Sequence, residues 1–334
     1  MLNRSVFTFG AAMVALTYAP SAHAEGRYAA LVIDAQSKAV LHEDAADEQR
    51  YPASLTKMMT LYLLFEAIDH GEVGLFDSIS ISRNAAGQPP SRLGVRAGDQ
   101  ILVDDAIRAL VTKSANDVAV AIAEHLAGSE ARFAARMTAR AREIGMGRTR
   151  FVNASGLPDS RQQTTARDIA TLSQALIEDY PQYYGYFQTP GMSWRRIYAR
   201  NHNRLLGVVE GVDGIKTGYT NASGFNLATS VSRGGQRLIA VVLGGETALS
   251  RDNQMRYLIE QGFASLSASV EAGNIRFTSL PVDRAAIDPA SGRVRVERVA
   301  ADGLGLSAAR AAPNSGTTLP GEGLGRVSRV LPLE

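Results

Sequence analysis

The chain has 334 residues, a formal net charge of +2 at pH 7 and no cysteine. So small a net charge does not indicate a nucleic-acid-binding protein, and without cysteine the chain can form neither disulfides nor thiolate metal sites. Only four of its 35 basic residues are lysines, namely Lys38, Lys57, Lys113 and Lys216. Arginine does not release its proton in proteins, so a site that needs a removable ammonium proton must use one of these four.

Residues 1–24 have the three parts of a secretory signal peptide. A short basic start precedes an apolar run at residues 6–16, and residues 22–24 (Ala-His-Ala) form the small-x-small pattern of a cleavage site. The apolar run is too short to span a bilayer well, although an uncleaved anchor is the alternative. We therefore predict an exported protein whose mature chain begins at Glu25.

The mature chain begins with strand patterns and continues with helices. Residues 28–34 and 39–42 are predicted to be two strands joined by a turn. Residues 54–69 predict a helix that is apolar on nearly every face, which is typical of a helix buried within a domain. Four further helices are predicted at residues 104–112, at residues 116–126, from an N-cap at Ser129, and at residues 165–178.

Strand patterns return after these helices. Residues 213–217, 225–231 and 238–243 are predicted strands, and residues 250–263 are a closing helix. Because strands lie at both ends of the helical region, we predict one α+β domain over residues 25–264. In it an antiparallel sheet is flanked by helices, with an inserted helical cluster.

The composition changes after this domain. Residues 265–334 are rich in Ala, Gly and Pro, and only residues 293–299 alternate as a strand does. We predict a weakly structured tail or a small β module. Its last residues, 325–334, hold too few apolar positions for an amphipathic membrane helix.

Ser54 and Lys57 are the first candidates for chemistry. Residues three apart on a helix lie on one face, so the hydroxyl and the amine would be adjacent. The helix dipole favours negative charge at Ser54, and apolar surroundings lower the pKa of a lysine. A neutral amine beside a hydroxyl makes an activated nucleophile. A capping serine with a snorkelling lysine is the alternative.

Two later segments add candidates. Ser114 and Asn116 lie on a short connection between two predicted helices, where a simple helix cap is the alternative. Lys216, Thr217 and Gly218 lie on a predicted strand, and we expect Gly218 where a side chain would block an approaching ligand. A strand-end turn is the alternative for this segment.

In this order the three segments resemble the D-alanyl-D-alanine carboxypeptidase family, the low-molecular-mass penicillin-binding serine peptidases. Longer runs are similar to this family too: residues 51–60 (YPASLTKMMT), 113–118 (KSANDV), 151–158 (FVNASGLP), 201–206 (NHNRLL) and 213–217 (DGIKT). The resemblance extends over residues 28–263 and does not clearly cover the tail. It implies a penicillin-binding protein/β-lactamase-like fold, with residues 25–264 as a D,D-peptidase catalytic domain.

The resemblance implies three catalytic residues. Ser54 would attack the carbonyl between two D-alanines of a peptidoglycan stem pentapeptide and become the acyl-enzyme. Lys57 would take its proton, and Ser114 would relay that proton to the leaving amine.

The resemblance also implies the groups that bind substrate. Asn116 would bond the substrate backbone. Lys216 would help to keep Lys57 neutral, since like charges disfavour each other. Thr217 would bind the terminal carboxylate with help from Arg251, for which a surface arginine is the alternative. The backbone amides of Ser54 and Tyr219 would form the oxyanion hole.

Three other functions remain alternatives. A class A β-lactamase needs a glutamate that activates the deacylating water, and no Glu-x-x-Leu-Asn segment lies between Asn116 and Lys216. We therefore expect β-lactams to be slowly released covalent inhibitors. A D,D-endopeptidase acting on peptidoglycan cross-links would use identical chemistry. A non-catalytic wall-binding protein is the third alternative.

No cofactor and no metal is predicted, because the histidines of the mature chain show no ligand spacing such as His-x-x-x-His. With its substrate in the cell wall, the protein is expected in the periplasm or at the outer face of the cytoplasmic membrane. Peripheral association with that membrane is possible in this scheme.

Overall fold

The computed structural model describes residues 27–272. The predicted signal peptide and most of the predicted tail lie outside these residues. The described chain forms, in order, β1 (Ala29–Asp34), β2 (Val40–Asp44), a 3-10 turn (Ala53–Leu55), α1 (Thr56–Asp69), β3 (Ser78–Ser80), α2 (Arg83–Ala86), β4 (Gln100–Leu102), α3 (Val103–Thr112), α4 (Asn116–Ala127), α5 (Glu130–Glu143), α6 (Ala166–Asp179), α7 (Pro181–Tyr184), a second 3-10 turn (Gly185–Gln188), β5 (Gly191–Trp194), β6 (Ile197–Arg200), β7 (Val212–Thr220), β8 (Gly224–Arg233), β9 (Gln236–Gly245) and α8 (Ala248–Ala272).

The central sheet has five antiparallel strands in the order β2-β1-β9-β8-β7. β1 pairs with β9 over its whole length, with Leu31 opposite Val241. The two ends of the described chain therefore close one sheet, which confirms the predicted fold class. β3 pairs with β4 and β5 with β6 in two small hairpins outside this sheet.

Both faces of the sheet are buried. Successive side chains of a strand point to opposite faces, and on β1 Leu31 packs with the core around α1 and α6, whereas Val32 packs with the core beneath α8. This double burial explains why β1 and β9 are apolar almost without alternation. The helical cluster lies on one side of the sheet and α8 covers the other.

Helix α1 is the centre of the helical cluster. Residues 56–67 are all buried, as its all-round apolar pattern predicts, and the helix contacts α3, α4, α5 and α6. The predicted N-cap at Ser129 is confirmed, because its side chain accepts a hydrogen bond from Arg132 N. Glu66 is the acidic residue among these buried positions; it pairs with Arg136 and Arg140 of α5.

Two features differ from the expectation. α8 extends to Ala272, nine residues beyond the predicted end at Phe263, so the helix continues into the segment assigned to the tail. The strands β3 to β6 were not predicted. With three or four residues each, they are too short to show an alternating pattern.

Candidate active site

Ser54 lies in the 3-10 turn Ala53–Leu55 that leads directly into α1. The helix therefore begins with a tighter turn than expected, but Ser54 still lies at its N-terminal end, where the dipole favours negative charge. Asn226 of β8 fixes this turn against the sheet. Its Nδ2 donates to Tyr51 O at 2.9 Å and to Pro52 O at 3.1 Å.

Lys57 follows one turn later and is fully buried. Its Nζ lies 3.2 Å from Ser54 Oγ and 2.7 Å from Asn116 Oδ1, and it also donates to Ser155 O. Burial lowers the pKa of Lys57 well below its ordinary value, and the nearby charge of Lys216 lowers this pKa further. Two causes of a neutral amine are therefore present: the burial that the apolar helix predicts and the charge of Lys216 that the resemblance implies.

The hydrogen bonds of Lys57 orient a neutral amine for catalysis. A neutral amine has two hydrogens, and Asn116 Oδ1 and Ser155 O are two acceptors for them. The nitrogen lone pair is then left for the hydroxyl hydrogen of Ser54. This is the arrangement that a general base needs to activate a serine nucleophile.

Ser114 and Asn116 lie where α3 gives way to α4. Ser114 has a φ of 57°, a left-handed conformation that is costly for a residue with a β-carbon. Its Oγ is buried and has no hydrogen-bond partner in the described part of the chain. Asn116 is held by Pro89 O, which accepts from Nδ2, and by Ser91 O, which accepts from its backbone amide. The predicted contact of Asn116 with the substrate backbone stays a prediction.

β7 supplies the third group of site residues. Lys216 is buried and donates from Nζ to Thr217 O at 3.0 Å. Burial, followed by the charge of Arg251, lowers the pKa of Lys216 to about 7. Tyr219 is half exposed, and its ring stacks on Phe225 of β8 at a centroid distance of 4.2 Å. Lys216 thus provides a cation whose charge changes near neutral pH.

Gly218 has a structural role in addition to the one expected. A β-carbon at this position would lie 3.0 Å from Ser54 N, 3.1 Å from Pro52 O and 3.2 Å from the β-carbon of Ala53. The absent side chain therefore makes room for the turn that carries Ser54. Gly218 also lines the cleft described below, so its predicted place beside a ligand stays a prediction. Close packing of β7 against this turn sets the position of the Ser54 amide.

Arg251 lines the cleft, but it is not the surface arginine that was the alternative. Its side chain is buried, forms an ion pair with Asp252 at 2.7 Å and donates to Asn226 O at 2.9 Å. Because Asp252 compensates its charge, Arg251 adds less positive potential than a free arginine would. Its predicted help to Thr217 in binding a carboxylate stays a prediction.

The loop at residues 151–158 contributes groups that were not predicted as site residues. Ser155 supplies the carbonyl that accepts from Lys57. Gly156, with a φ of +86°, lies so close to Ala53 O that an added β-carbon would be 1.8 Å away. Asn153 holds the loop, since its Oδ1 accepts from Ser155 N and Gly156 N. The run FVNASGLP was noted as similar to the family. The groups that it contributes to the site are backbone atoms, and the residue types do not reveal them.

These residues border one cleft of about 1000 Å³. Seven of the predicted site residues line it: Ser54, Ser114, Asn116, Thr217, Gly218, Tyr219 and Arg251. Lys57 and Lys216 are buried and do not line it. Among the described residues, no aspartate or glutamate lines this cleft, so it favours anionic ligands.

Residues 27–272 contain neither a candidate metal site nor a candidate membrane-spanning helix. No three His, Asp or Glu side chains come together there in a group that could hold a metal ion. None of the helices there is both long enough and apolar enough to cross a membrane.

The sequence matches the family model described as D-alanyl-D-alanine carboxypeptidase over residues 16–247. It is 37% identical over 240 residues to the D-alanyl-D-alanine carboxypeptidase DacC of Escherichia coli, a match that covers 70% of this chain and 60% of that protein. The chain thus spans less than two thirds of the length of this relative.

Solved structures are similar as well. Penicillin binding protein 5 of Haemophilus influenzae matches with a TM-score of 0.69 and 34% identity, over 71% of this chain and 70% of that one. Penicillin-binding protein D2 of Listeria monocytogenes, solved in its ampicillin-bound form, matches with a TM-score of 0.64 and 33% identity. That match covers 70% of this chain and 96% of that one.

Proposed function

Because the chain belongs to the D-alanyl-D-alanine carboxypeptidase family, we propose that it removes the terminal D-alanine from peptidoglycan stem pentapeptides as a serine peptidase. The observation that carries this proposal is the environment of Lys57. Its two acceptors, Asn116 Oδ1 and Ser155 O, direct its lone pair toward Ser54 Oγ, 3.2 Å away.

Acylation proceeds from this geometry. Lys57 takes the hydroxyl proton as Ser54 Oγ attacks the carbonyl carbon between the two D-alanines. The backbone amides of Ser54 and Tyr219 stabilise the oxyanion, and loss of one such donor costs about 3 kcal/mol in the transition state. Ser114 relays a proton to the leaving nitrogen, the C–N bond breaks, and D-alanine departs. Water then hydrolyses the ester and restores Ser54.

The terminal carboxylate of the substrate binds at Thr217, which lines the cleft, and is attracted by the charge of the buried Lys216 next to it in the chain. A protonated Lys216 has no carboxylate partner among the described residues, whereas Arg251 already has Asp252. Lys216 therefore supplies the uncompensated positive charge. Arg251, held by Asp252 and Asn226 O, fixes the shape of this end of the cleft.

β-Lactams are expected to acylate the same serine and to leave slowly. Support comes from the similar protein D2, whose structures were solved with ampicillin and with cefotaxime bound. A class A β-lactamase uses a glutamate to activate the deacylating water, and the described cleft lining holds no acid. These facts favour a penicillin target over a β-lactamase.

Export belongs to the same proposal. The substrate class lies outside the cytoplasm, and residues 1–24 have a signal-peptide pattern. We propose residues 25–264 as the catalytic domain, located in the periplasm or at the outer face of the cytoplasmic membrane. Cell fractionation tests this location. The proposal would be contradicted if the protein were found in the cytoplasm with residues 1–24 still attached.

The function is tested with Ser54→Ala. We expect the variant to lose both labelling by fluorescent penicillin and D-alanine release from a pentapeptide ending in D-Ala-D-Ala. Ser193→Ala is the matched control, because Ser193 is exposed on β5 and does not line the cleft. Penicillin labelling that survives in Ser54→Ala would refute the assignment of Ser54 as the nucleophile. Labelling without peptide cleavage in the unmodified protein would mean that the site is built but that its natural substrate is something else. Absence of both in the unmodified protein would support a non-catalytic wall-binding function.

A further inference from the structure

Asp117 is a buried acid to which the proposed mechanism gives no role. It is the second residue of α4, it directly follows Asn116, and it is fully buried. A carboxylate is costly to bury unless hydrogen bonds or an opposite charge compensate it. Its place beside a residue of the site therefore requires an explanation.

Backbone amides of a neighbouring loop compensate this carboxylate. Its Oδ1 accepts from Leu93 N at 2.9 Å, and its Oδ2 accepts from Gly94 N at 2.8 Å and from Val95 N at 3.3 Å. Three successive amides thus converge on one side chain, in the kind of concavity that binds anions. We call residues 89–95 the wall loop, because part of this loop lines the cleft.

The charge of Asp117 does not explain its presence. Burial and the charge of Lys216 lower the pKa of Lys57, whereas the charge of Asp117 raises this pKa and so opposes a neutral base. An asparagine would avoid this effect, but its side chain has only one acceptor oxygen. Asp117 holds the wall loop with both of its oxygens. The contacts with the wall loop therefore account for a carboxylate at this position.

The wall loop in turn holds the segment that contains Ser114. Ser91 Oγ donates to Lys113 O at 2.8 Å, and Ser91 O accepts from Asn116 N at 2.8 Å. Pro89 O accepts from Asn116 Nδ2 at 2.9 Å. The wall loop is therefore bonded to the chain both before and after Ser114.

Ser114 needs this support. Its φ of 57° lies in the left-handed region, and such a conformation persists only where the surrounding structure imposes it. Its Oγ has no hydrogen-bond partner in the described part of the chain, so no contact of its own orients the hydroxyl. The backbone sets the direction of the side chain, and the wall loop fixes that backbone.

We infer that Asp117 is a positioning residue, which holds the wall loop so that Ser114 can pass a proton to the leaving nitrogen. The inference rests on the proposed function and adds a residue to its acylation step. In that step Ser114 takes the proton that Lys57 received from Ser54, and it gives its own hydroxyl hydrogen to the nitrogen. The C–N bond breaks, and D-alanine leaves as an amine.

The test compares two substrates that differ at the leaving atom. One is a pentapeptide ending in D-Ala-D-Ala, and the other is a thioester with sulfur in place of the leaving nitrogen and the same terminal methyl and carboxylate groups. A thiol has a pKa of about 8.5, so a thiolate can leave without a proton, whereas an amine cannot. A defect at Ser114 should therefore slow cleavage of the amide much more than cleavage of the thioester.

In the full protein, Asp117→Asn should lower kcat/KM for the amide about 10-fold to 100-fold, since misplacement of a group by about 1 Å costs about 10²-fold. The thioester should lose no more than about threefold, because it does not need the general acid, whose contribution is about 10²-fold to 10⁴-fold. Ser114→Ala should show the same selective loss. If Asp117→Asn does not fold, Ser91→Ala is decisive. Without its bond to Lys113 O, the ratio of amide to thioester cleavage should fall about threefold to tenfold.

Asp168→Asn is the matched control. Asp168 is also a buried acid on a helix, and its Oδ2 accepts from Arg148 N at 2.9 Å and from Thr149 Oγ1 at 2.6 Å, but it does not line the cleft. This substitution should lower the Tm, measured by circular dichroism, and should leave the ratio of amide to thioester cleavage unchanged.

An unchanged ratio in Asp117→Asn, or in Ser91→Ala where the first variant does not fold, would overturn the inference. The proposed function would stand in that case if Ser114→Ala still lost the amide selectively. No selectivity in Ser114→Ala would also overturn the inference, because Ser114 would then not be the proton donor. Failure of the unmodified protein on both substrates, together with no penicillin labelling, would instead refute the proposed function.

Discussion

Replacement of Gly218 by alanine tests how β7 controls the nucleophile. The new methyl group would lie 3.0 Å from Ser54 N and 3.1 Å from Pro52 O. Contacts this short require the neighbours to move by a few tenths of an ångström. The neighbours are backbone atoms, and Asn226 anchors them to β8 through two hydrogen bonds. We expect the strand and the turn to separate, which displaces the proposed oxyanion donor at Ser54.

The size of the effect follows from these contacts. Loss of an oxyanion-hole donor costs about 10² to 10³ in rate, and a displaced donor should cost less, about 10 to 10². Mild overpacking destabilises a fold by about 1 kcal/mol, which lowers the Tm of a domain of this size by about 2–4 °C. The Gly218→Ala protein should therefore fold, yet acylate slowly.

Stopped-flow acylation by fluorescent penicillin measures the rate, and circular dichroism measures the Tm. Gly147→Ala is the control, because a β-carbon on Gly147 would meet nothing within 4 Å. Acylation of Gly218→Ala within twofold of the unmodified rate would refute the link between this contact and the oxyanion hole. A collapse of the Tm by 10 °C or more, roughly three times the shift that overpacking predicts, would show that the contact serves the fold instead.

Two further predictions concern the charge of Lys216 and the support of the Lys57 amine. In the free enzyme the kcat/KM for D-alanine release should fall as the pH rises above about 7, because Lys216, whose pKa is lowered to about 7, then loses the charge that attracts the carboxylate; a profile that still rises from pH 7 to 9 would contradict this. Asn153→Ala should slow acylation about tenfold, since Ser155 O loses its support and Lys57 its acceptor. Asn153→Asp retains the accepting oxygen but loses the Nδ2 that donates to Leu157 O, so it should restore only part of the rate, and equal loss in both variants would indicate a structural defect.

Much of the fold was predictable because burial leaves a pattern in the sequence. A helix surrounded by protein is apolar on every face, and α1 is buried along nearly its whole length. The strands β1 and β9 are apolar because both faces of the sheet are covered. By contrast, β5 and β6 have four residues each, and no periodicity can be recognised over so short a length.

The site was less predictable where its chemistry uses the backbone. The pairing of Ser54 with Lys57 follows from helical spacing, and the structure places their atoms 3.2 Å apart. The carbonyl of Ser155 leaves no comparable signature, because every residue has one. The space for a side chain at Gly156 and at Gly218 is likewise limited by the turn at Ala53–Leu55, which is distant from both in the sequence. Only the arrangement in space reveals which backbone atoms matter.

In the proposed reaction, the placement of two lysines in one site would link substrate recognition to base activation. The pKa of Lys216 is lowered to about 7, so at neutral pH the free enzyme holds this group only partly charged. A bound carboxylate favours the charged form and raises that pKa. The completed charge of Lys216 then acts on Lys57, whose pKa it already lowers, and keeps the base neutral. An arginine in place of Lys216 would stay charged with or without substrate, and this coupling would be lost. A substrate that ends in a carboxylate would therefore prepare the base that activates Ser54 for attack.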